Sequence, residues 1–156
     1  MNRLPAPNVV SAGPVELIMS DVPAEARRAG ALRRALASWL EITAFDRARI
    51  VDIALAVYEA MANTVEHAYR NGAAGTMTVR AVYSDVERTL NIEVVDVGHW
   101  QTPTVDPLRG NGLTLISALS HASNVEHTDS GTRVTMSWGV ETSSALMTDI
   151  AGRSTR

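Results

Sequence analysis

A chain of 156 residues, 46% hydrophobic and 20% charged, is sized for one domain with a sizeable core. Its net charge of −3 and the lack of any basic run argue against nucleic acid as a direct partner, and the absence of cysteine excludes disulfides and thiolate metal sites. No apolar run reaches the roughly 18 residues that span a membrane and no signal-peptide pattern opens the chain, so a cytoplasmic location is expected.

Residues 1–13 are rich in Pro and Ala and are expected to be poorly ordered, leaving 14–140 as the folded domain. Val15 to Ser20 can form a first strand. Pro23 is expected to open a helix running through Trp39, with Leu32, Ala35, Leu36, Trp39 and Leu40 on its apolar face. Arg27, Arg28, Arg33 and Arg34 sit away from that stripe.

From Arg47 to Tyr69 the apolar residues Ile50, Ile53, Ala54, Val57, Met61, Val65 and Ala68 recur at spacings of three and four. That pattern predicts a long amphipathic helix whose stripe faces a core. Glu59, Asn63 and His67 follow at intervals of four, each about 40° round from the last and one turn further along. Such a trio can be a solvated face, as Glu66 with Arg70 is expected to be. Asn63 nonetheless needs a reason, because Asn is a poor residue inside a helix.

Met77, Val79, Ala81 and Tyr83 alternate along a strand, and Asp85 to Arg88 turn the chain into a second one, Thr89 to Asp96. In that second strand Leu90, Ile92 and Val94 share one face, and Asp96 shares their parity. It is therefore a carboxylate aimed at the core from a strand end, where it needs donors to offset the cost of burial. Gly98, two residues on, marks a turn or a close approach. A turn aspartate that caps the following loop is the alternative.

Trp100 to Arg109, with Pro103 and Pro107, reads as an irregular loop. Arg109-Gly110-Asn111-Gly112-Leu113 then leads into a third helix. Two glycines at a helix start leave N–H groups that can cradle phosphate, although a lone G-x-G is often only a turn. No Walker motif is present, and the G-x-G does not directly follow a strand in a βαβ unit. Asn124 to Thr128 and Thr132 to Val140 form a closing hairpin. Gly131-Thr132 opens its second strand, on which Thr132, Val134, Met136 and Trp138 share a face. By itself Thr132 is an ordinary strand-edge residue. His99, His121 and His127 lack metal-ligand spacing and read as surface or loop residues. Residues 141–156 turn Ser/Thr-rich and read as a disordered tail or a linker. The elements together give an α/β (α+β) two-layer sandwich, a mixed and largely antiparallel sheet covered by helices on one face.

In this order and on these element types, Glu-Ala-x-x-Asn-x-x-x-His-Ala from Glu59, Asp96-x-Gly98, Arg109-Gly110-x-Gly112-Leu113 and Gly131-Thr132 match a known combination. They resemble the four boxes of the histidine kinase/gyrase/heat-shock chaperone/MutL ATP-binding superfamily. Within it the chain is most similar to anti-sigma-factor serine kinases of the RsbW/SpoIIAB type, especially those with a short lid. The resemblance runs from about Val15 to Val140. One position departs: where many members carry D-x-G-x-G, the last residue here is Trp100.

The resemblance implies a Bergerat-type ATP-binding fold using ATP and Mg²⁺. Asp96 would accept from the adenine amine, and Asn63 would anchor the metal through its amide oxygen. Glu59 would take the proton of the incoming nucleophile. His67, Gly98, Arg109, Gly110, Gly112, Leu113 and Thr132 would complete the nucleotide site. It implies a kinase that holds a sigma factor and phosphorylates a STAS-domain anti-anti-sigma factor, and it leaves a homodimer open. Two alternatives stand beside it. One is a nucleotide-binding module that sequesters a sigma factor without kinase activity. The other is a histidine-kinase or ATPase catalytic domain, although the lid is short for one and no helix with a phosphoacceptor histidine precedes it.

Overall fold

A computed structural model describes residues 13–69, 74–98 and 112–141. In chain order the elements are β1 (Val15–Pro23), α1 (Ala26–Leu40), α2 (Arg47–Asn63), a π-helical turn (Thr64–Ala68), β2 (Thr76–Ser84), β3 (Thr89–Asp96), α3 (Gly112–Leu119), β4 (Ala122–Thr128) and β5 (Gly131–Gly139). Alternating hydrophobicity makes the sheet. Met77, Val79, Ala81 and Tyr83 on β2, Leu90, Ile92 and Val94 on β3, and Val134, Met136 and Trp138 on β5 are all buried on one face. That face meets Leu32, Leu36 and Leu40 of α1, Ile53, Val57 and Met61 of α2, and Ile116 of α3 in one continuous core. α2 packs against both α1 and α3, so the helices form one layer.

The strand order is β1-β2-β3-β5-β4, and all four pairings are antiparallel. The sheet expected to be largely antiparallel is wholly so among the described residues. β3 is the central strand, in register with β2 from Met77↔Asp96 to Ser84↔Thr89 and with β5 from Asp96↔Thr132 to Thr89↔Gly139. The C-terminal end of β3 thus lies between the start of β2 and the start of β5.

Three expectations change. First, Pro23 does not open α1. It closes β1, opposite Thr76, and α1 begins at Ala26. β1 is an edge strand, where a residue without an N–H is tolerated. It extends past Ser20 through a bulge at Asp21, whose φ is +51° and whose N–H donates to Thr78 Oγ1. Second, the buried stripe of α1 is Ala29, Leu32, Leu36 and Leu40, with Trp39 half-buried. Ala35, expected on that stripe, is exposed because it lies about 100° back from Leu36.

Third, the long helix is not α throughout. Asp46 caps its start by accepting from the Arg49 N–H at 2.8 Å, and the α register holds to Asn63. Thr64–Ala68 then widens into a π turn. Thr64 is buried there, while Val65, expected in the apolar stripe, is only half-buried. The expected Glu66–Arg70 pair cannot be placed because Arg70 lies outside the described residues. Glu66 instead faces His67 Nε2 at 3.5 Å.

The sheet's other face carries polar residues. Arg80 Nε donates to Glu16 Oε1 at 2.6 Å across β1 and β2, a hydrogen bond that raises the arginine's pKa further above its usual value. Arg133 faces Glu93 at 3.7 Å across β3 and β5. An open groove of about 300 Å³ runs along this face between Arg80, Asn91 and Glu93 on one side and Asn124, Thr135 and Ser137 on the other.

Candidate nucleotide site

Asp96 is the centre of the candidate site. The β3 alternation that buries Leu90, Ile92 and Val94 also directs this side chain inward, where it is 4% exposed. Its Oδ1 accepts from the Gly98 N–H at 3.1 Å and from the Thr132 N–H at 3.3 Å. Its Oδ2 accepts from Thr64 Oγ1 at 3.2 Å. These donors offset the cost of burying a carboxylate, and they are the partners that its parity in the strand demanded.

Two glycines make this closeness possible. Gly131 has φ +138°, a conformation that side-chain-bearing residues rarely adopt, and a Cβ there would overlap the carbonyl oxygen of Asp96. A Cβ on Gly98 would overlap the carbonyl oxygen of Ala68 and stand 2.8 Å from its Cβ. The end of β3 is therefore packed directly against the start of β5 and the π turn. Tyr69 fastens the same corner, its hydroxyl donating to Thr76 O at 2.6 Å and accepting from the Val97 N–H at 3.1 Å.

Asp96, Gly98 and Thr132 thus come together as expected. Thr132 is 4% exposed, and its Oγ1 lies 3.1 Å from His127 Nδ1 across the β4–β5 pair. Glu59 and Asn63 lie half-buried on α2, outside the apolar stripe. His67 is also half-buried, but the π turn removes it from the regular four-residue series. Gly112 opens α3, and Leu113 follows with 42% exposure. Arg109, Gly110, Asn111, the loop with Trp100, and His99 lie outside the described residues.

Sequence reasoning did not pick out Thr64, Tyr69 or His127. Thr64 had a usable signal, standing four residues after Ala60 and three after Met61, in line with the buried stripe. Tyr69 had none, because its hydrogen bonds join segments that the sequence pattern does not link, whereas His127 had the closing hairpin, which sets it opposite Thr132.

Among the described residues, no group of three His, Asp or Glu side chains is arranged to hold a metal ion unaided. None of the described helices is long and apolar enough to cross a membrane. A buried acceptor at a strand end, beside a helix that presents Glu59 and Asn63, is an arrangement suited to recognising a base amine and orienting a phosphate-bearing group.

Comparisons with known proteins bear on the family. Residues 22–138 match the histidine kinase-like ATPase domain family. Among solved structures, the chain is similar to the RsbU and RsbW domains of Rv1364c from Mycobacterium tuberculosis, with a TM-score of 0.62 and 26% identity. That match covers 81% of this chain and 32% of the other, so this chain spans about a third of the matched one. A search of curated protein sequences finds no match. With a family match over most of its length, the chain belongs to the histidine kinase-like ATPase family, and its fold is similar to a solved structure that contains an RsbW domain.

Proposed function

We propose that the protein is an ATP-dependent protein serine kinase that also acts as an anti-sigma factor, binding a sigma factor and phosphorylating a STAS-domain anti-anti-sigma protein. The observation that carries the nucleotide half of this reading is the buried Asp96 carboxylate, held by Gly98, Thr132 and Thr64 at the end of the central strand. A charged acceptor there favours adenine, which offers an amine where guanine offers a carbonyl. The partner half is supported by the RsbW-type likeness alone.

In this mechanism Asp96 orients the base, and the amides at the N-terminus of α3, beginning at Gly112 and Leu113, meet phosphate charge together with Gly110 and Arg109. The donor set fits a hard cation. Asn63 would supply one amide oxygen to Mg²⁺, an ion that takes oxygen ligands, keeps several waters and is otherwise met by the substrate's phosphates. When bound, the ion neutralises charge on the phosphates. Glu59, one turn before Asn63, accepts the serine proton as the serine oxygen bonds to the γ-phosphorus and the bond to ADP breaks. The exposed Arg27, Arg28 and Arg34 of α1 offer an acidic partner a basic face. Arg33 is otherwise engaged, 5.4 Å from the centre of the Tyr58 ring.

The test is to incubate the protein with labelled ATP and the STAS proteins and sigma factors of its source organism. Label on a STAS serine and retention of a sigma factor support the reading. Glu59→Gln should keep nucleotide binding and slow transfer by about 10²–10⁴-fold. Hydrolysis with no serine labelled and no sigma factor retained would replace it with a stand-alone ATPase.

A further inference from the structure

Among the described residues, the buried polar side chains are Thr64, Asp96 and Thr132, and all three belong to one cluster. Two of them are accounted for by the strands that carry them. Thr64 is not: it comes from the helix layer, at the point where α2 gives way to the π turn. We propose that Thr64 is a positioning residue for base recognition, its hydroxyl fixing the Asp96 carboxylate in the orientation that selects adenine; this rests on the nucleotide-binding reading above.

The division of labour within the carboxylate supports the assignment. Oδ1 is held by two backbone N–H groups, those of Gly98 and Thr132. Backbone donors would hold any acceptor at that position, a carboxamide oxygen included. Oδ2 is held by the Thr64 hydroxyl at 3.2 Å, and this contact sets the tilt of the carboxylate plane about the anchored oxygen. The same hydroxyl lies 3.4 Å from Ala60 O. It has one proton for two acceptors, and the nearer, charged one is the stronger. A β-branched side chain restricts χ1, so the hydroxyl is delivered with little freedom. The π register serves the same end. It buries Thr64 and Ala68 together, with Ala68 packed against Gly98 and Thr64 against Asp96.

Calorimetric titration of the full chain with ATP and with GTP, each with Mg²⁺, tests this. Thr64→Val keeps the shape and removes the donor. It should weaken ATP binding about tenfold and lower the ATP-over-GTP preference by a similar factor, as expected for losing a hydrogen bond to a charged group. Thr64→Ser should restore most of the preference, and in an Asp96→Asn background Thr64→Val should change it no further. If Thr64→Val does not fold, Thr64→Ala replaces it with the same expectation. A purely structural role would lower the melting temperature and leave the nucleotide preference intact. A folded Val or Ala variant with the wild-type preference therefore overturns the inference while the nucleotide reading survives. A wild type that binds neither nucleotide, or both equally, overturns both.

Discussion

The two faces of one sheet handle polar residues in opposite ways. On the helix-covered face Asp96 is buried, held through three donors from three separate segments, with glycines at 98 and 131 where any Cβ would overlap backbone. On the open face Arg80 with Glu16 and Arg133 with Glu93 form pairs whose side chains keep between 28% and 53% of their exposure. The strands, pairing and register are the same. What differs is whether water can replace a lost partner. Where it cannot, each group is specified by geometry, and that is where chemistry can be built.

Substitutions should separate the faces sharply. The largest effect is expected at Gly131→Ala, which combines a positive-φ strain with backbone overlap at Asp96. A loss of roughly 3 kcal/mol, or on the order of 10 °C in melting temperature, should be seen by thermal unfolding. Gly98→Ala comes next, at roughly 2 kcal/mol, because the added methyl pushes the π turn off the end of β3. Hydrogen exchange should locate its loosening at Thr64–Ala68. Arg133→Ala on the open face should change stability by no more than about 0.5 kcal/mol in denaturant titration, as for exposed ion pairs generally. An Arg133→Ala loss equal to that of Gly98→Ala would erase the contrast.

Much of this was readable in the sequence. Period-two alternation located β2, β3 and β5, and with them the inward parity of Asp96 and Thr132, because side-chain direction in a strand follows from position alone. The joints were not readable. β1 continues past a bulge at Asp21, a local backbone event with no periodic signature. Pro23 suits a helix start as well as an edge-strand end, and only the pairing with Thr76 decides. The α-to-π change at Thr64 leaves the apolar spacing nearly intact while exchanging Val65 for Thr64 as the buried residue. Within the site the strand residues were legible, while for Thr64 the spacing carried only its burial and not its role, which depends on Asp96, 32 positions away in the chain.

The central claim is that Asp96 is the adenine acceptor, and calorimetry of ATP and GTP binding to the wild type and to Asp96→Asn tests it most directly. The wild type should prefer ATP. Asp96→Asn should keep its fold, because an amide oxygen can still accept from Gly98 and Thr132, yet lose roughly 1.5–3 kcal/mol of ATP affinity with much of the preference. Equal affinity of the wild type for the two nucleotides, or an unaltered preference in Asp96→Asn, would contradict it.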